Sequence, residues 1–307
     1  MTVLVGLAPG PKGQSALHLG AMLARSAGED MLIASVVGEP WPPNIGGGDA
    51  EYLSLRDGMA AQSLAEAREQ IEAGVPHVET LSRRAPSVAS GLLNIIAERR
   101  ISMVALGSSS SSVLGRVRLG GVAERVLHGS SLPVVLAPRG FQAPGARVGR
   151  VSVAVGRADQ DGGLVRHAAV LADRLFSSVR LVCFAVRPGA VGPTAVPGVE
   201  DRLADEWRQN LEAELADAMG PLGTTALHPA TAELARRARV KLGTGGTWEA
   251  ALRDIPWTAG DLLVVGTSSG PISLFYLGSH ATKIIHSSPV PVVLVPRQGH
   301  DDRPDSP

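Results

Sequence analysis

The chain has 307 residues, 44% of them hydrophobic but only 3% aromatic, enough for two ordinary domains with mainly aliphatic cores. Lysine plus arginine and aspartate plus glutamate balance at 29 each, and no long basic run supplies the positive patch that nucleic acid requires. The single cysteine, Cys183 in "VRLVCFAV", excludes an internal disulfide and suits a reducing cytoplasm; with no charged leader and no run of the ~18 apolar residues of a membrane helix, a cytoplasmic protein without nucleic-acid or membrane partners is expected.

In chain order, "TVLVGL" reads as a buried strand, "QSALHLGAMLARSA" as a helix and "MLIASVV" as a second strand. The loop "GEPWPPNIGGGDA" sets Trp41 between prolines, either a partner contact or a local packing residue. Helical spacing follows over Glu51 to Ala73, then a strand "HVETLS", a helix from Ser87 to Arg99 and a strand "SMVAL". After the loop "GSSSSSVLGRVRLGG" come a helix, Gly121 to Leu127, and a fifth strand, "PVVLAP". The connector "RGFQAPGARVG" leads to a second series. It comprises "RVSVAV", a helix from Gly162 to Phe176, "VRLVCFAV", "ARVKL", a helix over Thr247 to Asp254, "DLLVVG", a helix from Ser279 to His286, and "PVVLVP". Val199, Leu203, Trp207, Leu211, Leu215 and Met219 recur every fourth residue and mark one more helix with a packing face. Residues 220–235 have no counterpart in the first series and are left unassigned, and the polar tail 298–307 is expected to be disordered.

The second series is a copy of the first. "ALGSSSSSVLGRVRLGGVAERVLHGSSLPVVLAPR" aligns with "VVGTSSGPISLFYLGSHATKIIHSSPVPVVLVPR": Gly120 with Gly278, His128 with His286, Pro133 with Pro291 and Pro138 with Pro296, all at one offset. Gly107 and Gly266 lie one residue further apart, so the second loop is one residue shorter. Two domains follow, 1–140 and 149–297. Apolar strands alternating with helices predict an α/β fold in which each domain is a five-stranded, parallel, doubly wound sheet. Ligands of such sheets sit beyond the carboxyl ends of the strands, where both loops emerge.

A strand-exit glycine lets backbone approach a ligand, and a helix start offers unpaired N–H groups to an anion. Gly107, Gly120 and Gly121 hold these places in the first loop; Gly266, Gly278 and Ser279 hold them in the second. The same residues also serve an ordinary turn with an N-cap. Neither loop carries the lysine of a P-loop. Arg116 and Arg118 are confined to the first loop, their partners being Leu274 and Tyr276, and are either anion-assisting or solvated.

The strand, loop, helix and "PVPVVLVP" arrangement, twice over, resembles the universal stress protein family, with its G-x2-G-x9-G-[ST] loop and Pro-Val-rich last strand. The first strand and helix, "VLVGLAPGPKGQSALHLGAMLA", resemble the family's start. The resemblance implies two tandem Rossmann-like domains of the adenine nucleotide alpha hydrolase type, a non-enzymatic stress-response or signalling role, and ATP binding in members that keep the motif. It also implies that the last strands, which commonly pair across a dimer, pair here within one chain; a homodimer and an unidentified protein partner stay open.

The motif is altered. Ser110 replaces the second glycine, Gly121 the closing hydroxyl residue and Ser269 the second glycine of the other loop, where Gly270 is a substitute. The nucleoside-contacting aspartate of ATP-binding members is Ala8 in one half and Gly156 in the other, with Asp159 displaced. ATP or a related adenine nucleotide is therefore expected to bind weakly or not at all. The remaining alternatives are a nucleotide-free interaction scaffold and a serine hydrolase built on "GTSSG", Gly266 to Gly270, a nucleophile-elbow pattern around Ser268. The histidines lack metal-ligand spacing, so no metal is expected; His128 and His286 fit helix-end capping or packing.

Overall fold

The computed structural model describes residues 1–39, 49–71, 74–155, 163–186, 239–266, 268–270, 273–276 and 279–295, with helical Arg202, Glu206 and Gln209. Trp41, Gly156, Asp159, all six residues of the Val199 to Met219 stripe, the unassigned segment 220–235 and the tail lie outside the described residues. In the first half β1 (Thr2–Gly6) runs parallel between β2 (Asp30–Gly38) and β4 (Ile101–Gly107), with β3 (Val78–Ala85) beyond β2 and β5 (Val134–Ala137) beyond β4. The second half repeats this order around β6 (Arg150–Ala154), with β7 (Ser178–Val186) and β8 (Arg239–Gly245) on one side and β9 (Asp261–Gly266) on the other. The first half carries α1 (Gln14–Ala27), α2 (Asp49–Glu69), α3 (Val88–Glu98) and α4 (Gly121–Gly129). The second carries α5 (Gly163–Arg174), α6 (Trp248–Arg253) and α7 (Ser279–Ser287).

One departure from expectation lies in the second loop. In place of an open loop it holds a hairpin, β10 (Ser268–Gly270) against β11 (Ser273–Tyr276), with Ser268 opposite Tyr276 and Gly270 opposite Ser273. Gly270-Pro271 punctuates a chain whose next residues, Ile272, Leu274, Phe275 and Tyr276, favour extended backbone. The first loop has no aromatic residue and opens on five serines.

The final strand, β12 (Val292–Val295), is parallel to β9 and antiparallel to β5, so ten strands form one sheet, β3-β2-β1-β4-β5-β12-β9-β6-β7-β8. At the seam Val292 faces Leu136, Val293 faces Val135 and Leu294 faces Val134. Val135 and Val293 are repeat equivalents, so the seam is a local two-fold axis passing between them. All six residues are fully buried. Strand alternation divides them between two cores. Val135 and Val293 join the face covered by α1 and α5, whereas Val134, Leu136, Val292 and Leu294 join the face covered by α3, α4, α6 and α7. Each core is continuous across both halves.

Polar contacts add to the seam. Arg174 Nε of α5 donates to Glu29 Oε1 at 2.7 Å, and Ser102 Oγ holds the other carboxylate oxygen at 2.6 Å. The connector docks on the end of α1, with Arg25 Nη1 donating to Ala146 O at 2.8 Å and Val148 N to Ser26 Oγ at 2.7 Å. In the second half Asp261 is fully buried. It accepts from Arg150 at 2.8 and 2.9 Å and from Thr258 N at 2.9 Å, with Arg180 Nη2 at 3.6 Å. Arg180 stacks 4.7 Å from the Trp257 ring, and burial foremost, then Arg150, lowers its guanidinium to about 10.

Two outcomes follow for stability. Leu294→Ala, at a fully buried seam position, is expected to cost about 2–5 kcal/mol, with one cooperative urea transition because the cores are shared. Two resolved transitions in the wild type would contradict a shared core. Asp261→Asn removes the carboxylate shared by two guanidinium groups, one of them buried, and is expected to cost roughly 3–5 kcal/mol; a loss below about 1 kcal/mol, the range of an exposed ion pair, would show that the cluster is solvated.

Candidate functional site

β1 ends at Gly6, and Leu7 N donates to Ala34 O at 2.8 Å, holding the exit of β1 against β2. The chain then turns through a short 3-10 helix, Gly10–Gly13, into α1. A side chain at Gly13 would collide with Ala8 O, so this turn needs glycine for packing. Between this turn, the end of β4 and the start of α4 lies a cavity of about 740 Å³, within the range of small-molecule sites. Its apolar wall includes Ala34, Val36, Val88 and Leu92, and the sequence candidates Gly107, Ser110, Gly120 and Gly121 all line it. Ala8 lines it too.

The glycines here separate the two readings of the loop. Gly115 has a φ of +74°, a conformation that suits glycine in an ordinary turn. Gly107, Gly120 and Gly121 do not have positive φ. A Cβ on Gly107 would meet nothing nearer than Lys12 O at 3.5 Å, one on Gly120 nothing nearer than Ser109 Cβ at 3.4 Å, and one on Gly121 nothing within 4 Å. Neither turn geometry nor internal packing requires these three glycines, and all three line the cavity.

The serines have a different role. Ser108 Oγ donates to Ala137 O at 2.7 Å and accepts from Arg118 N at 3.1 Å. Buried Ser112 donates to Arg116 O at 2.8 Å. Backbone bonds from Ser109 N to Arg118 O, 3.0 Å, and from Arg139 N to Arg116 O, 3.0 Å, close the loop around fully buried Val117. The loop is thus fixed by its own hydroxyls. At its far end α4 starts on Gly120 without a side-chain cap, unlike α3 and α6, which are capped by Ser87 and Thr247. The first N–H groups of α4 have no hydroxyl to satisfy them.

Arg116 is not part of this lining. Its Nη1 donates to Ser287 O at 3.2 Å and its Nη2 pairs with Glu249, both in the second half. Its place in the anion-binding set is not supported by geometry: the guanidinium is spent on joining the halves. Arg118 lies near the same helix, where burial first, and the Arg118 charge second, hold His286 below the ordinary histidine value. The cations that do line the cavity, Lys12, Arg56 and Arg139, come from three separated segments and carry no motif by which the sequence could have singled them out.

In the second half Gly266 ends β9, Gly270 ends β10 and Ser279 opens α7, whereas Gly278 lies outside the described residues. Ser268 falls inside β10, not at a strand-to-helix turn, and so lacks the backbone setting of a nucleophile elbow. Cys183 is buried, which pushes its thiol up to about 12 and keeps it protonated. Trp248 meets Phe184 edge to face, with centroids 6.5 Å apart, and His280 at a tilt, 5.4 Å away, so His280 is a packing residue. Among the described residues no three His, Cys, Asp or Glu side chains converge as metal ligands, and no helix is long and apolar enough to cross a membrane.

Comparison with known proteins agrees with this architecture. The model of the universal stress protein family matches residues 1–138 and again 148–296. Universal stress proteins of Mycobacterium tuberculosis H37Rv and Mycobacterium bovis are each 33% identical to the chain over 305 residues, covering 96% of it and all of the relative. A crystal structure of a universal stress protein from Archaeoglobus fulgidus superimposes with a TM-score of 0.58 at 18% identity, covering 97% of this chain and 98% of that one. A putative universal stress protein from Pseudomonas aeruginosa reaches 0.50 at 15% identity, with 96% and 92% covered. With its duplicated sheet, its two strand-exit loops and two family matches end to end, the chain belongs to the universal stress protein family as a tandem member.

Proposed function

We propose that the protein is a non-enzymatic stress-response protein of two domains, divided near residues 140–149, whose first domain binds an adenine nucleotide or related phosphorylated ligand weakly. The observation that carries this reading is the set Gly107, Gly120 and Gly121, glycines that the chain's own geometry does not need, facing a cavity beside an uncapped helix start. Weakness follows from Ala8, which offers no carboxylate to a ribose, and from Gly121, which offers no hydroxyl to a phosphate. Gly266, Gly270 and Ser279 belong to the related site of the second domain, altered by its hairpin, and Gly278 is their sequence companion outside the described residues. No chemistry is assigned to either: no activated nucleophile or metal group accompanies the cavity among the described residues.

An interaction scaffold is the second reading, supported by Val113 and Leu114 at the tip of the first loop, 72% and 74% exposed. With β5 and β12 spent on each other, a homodimer would form through other surfaces. A single dominant partner recovered without nucleotide, and lost on Val113→Ser with Leu114→Ser, would favour the scaffold.

Calorimetry tests the ligand reading. ATP is expected to bind with a Kd on the order of 0.1–1 mM. Since a Cβ at Gly121 meets nothing within 4 Å, Ala8→Asp with Gly121→Ser is expected to tighten ATP at least ~tenfold, about 1.4 kcal/mol. Nucleotide retained through native purification of the wild type, or no gain in the double variant, contradicts it. Ester hydrolysis should be equal in wild type and Ser268→Ala; activity that disappears with Ser268 would restore the hydrolase reading.

A further inference from the structure

The charge lining of the first cavity is unbalanced. The protein as a whole is neutral, with 29 basic and 29 acidic residues. Yet Lys12, Arg56 and Arg139 line the cavity and, among the described residues, no aspartate or glutamate does. The acid next to Arg56 in sequence, Asp57, is bound to Arg84, which lowers the Asp57 carboxyl through its hydrogen bond first and its charge as well. Arg56 has Tyr52 Oη at 3.0 Å, a neutral partner. Arg139 gives Nη1 to Ser112 O at 2.8 Å, which fixes its guanidinium beside the loop and uses one part of a five-donor fork. Lys12 is the residue whose carbonyl lies against the open side of Gly107. Among the described residues no carboxylate neutralises any of the three.

Three cations and an uncapped helix start around one acid-free cavity describe a site that recognises negative charge. The remaining wall is mostly apolar, its neutral polar side chains being Gln14, Ser15, Gln142 and loop serines, with Ala8 in place of a carboxylate that could bind a sugar. Resting on the ligand reading above, we infer that this cavity selects its ligand by phosphate count: Lys12, Arg56 and Arg139 hold a di- or triphosphate, and the nucleoside contributes little. Phosphates fit better than carboxylates, because each carries three acceptor oxygens and more charge for the arginine forks and the helix amides. The inference concerns the first half alone.

The test is calorimetry in metal-free buffer at low salt with ATP, ADP, AMP, adenosine and inorganic tripolyphosphate. Affinity is expected to fall from ATP through ADP to AMP, with tripolyphosphate within about threefold of ATP and adenosine at least ~tenfold weaker, and raised salt should weaken the charged ligands. Lys12→Gln and Arg139→Gln, both at exposed positions, should each weaken ATP about tenfold. Arg83→Gln, which removes a cation paired with Glu98 away from the cavity, should leave it unchanged. Adenosine or AMP equal to ATP would overturn selection by phosphate while leaving the ligand site intact. An equal loss with Arg83→Gln would overturn it as unspecific surface attraction. No binding of ATP or tripolyphosphate would remove the ligand reading and this inference together.

Discussion

The antiparallel seam between β5 and β12 is the constraint on which the rest depends. Each half ends its sheet with an apolar strand, and an exposed apolar edge is a template for unwanted pairing. Joining the two edges removes that hazard at both. It also merges both cores, because Val135 and Val293 point to one face while their neighbours point to the other. The strand direction reverses at the seam, so the carboxyl ends of the two halves lie on opposite edges of the ten-stranded sheet. The first cavity and the described part of the second loop therefore belong to opposite edges of the sheet.

The serine-rich loop illustrates how composition misleads about rigidity. Serine runs usually mean solvated, flexible chain. Here the flanking strand and helix hold the ends, and Ser108 and Ser112 turn inward to backbone carbonyls. Their hydroxyls replace the hydrogen bonds that regular structure would give, and Val117 anchors the middle. The loop keeps its shape without a ligand, so binding need not pay to order it.

Much of this was legible in the sequence. Apolar strands such as "MLIASVV" have one physical outcome, a sheet buried on both faces, and the constant offset between Pro133 and Pro291 exposed the duplication. The glycine positions of the first loop were legible because strand exits and helix starts have local signatures. The partner of Arg116 was not, since Glu249 is 133 residues away and an arginine's reach carries no mark of direction. The cavity's cations were hidden for the same reason: Lys12, Arg56 and Arg139 become neighbours only when β1, α2 and β5 are assembled. The β10–β11 hairpin was not legible because its strands are short and the sequence Gly270-Pro271 between them reads equally as a loop.

The Arg116–Glu249 contact has an evolutionary consequence. Two identical domains would form such a bridge twice, once in each direction. The mate of Arg116 is Leu274, and the mate of Glu249, counted from the helix caps Ser87 and Thr247, is Ala89. Neither half could make this ion pair with a copy of itself. Fusion into one polypeptide guarantees that unlike halves always meet at fixed one-to-one stoichiometry, at any dilution. That guarantee lets the interface become one-sided and lets the two loops drift apart in sequence, one keeping a charged cavity while the other folds into a hairpin.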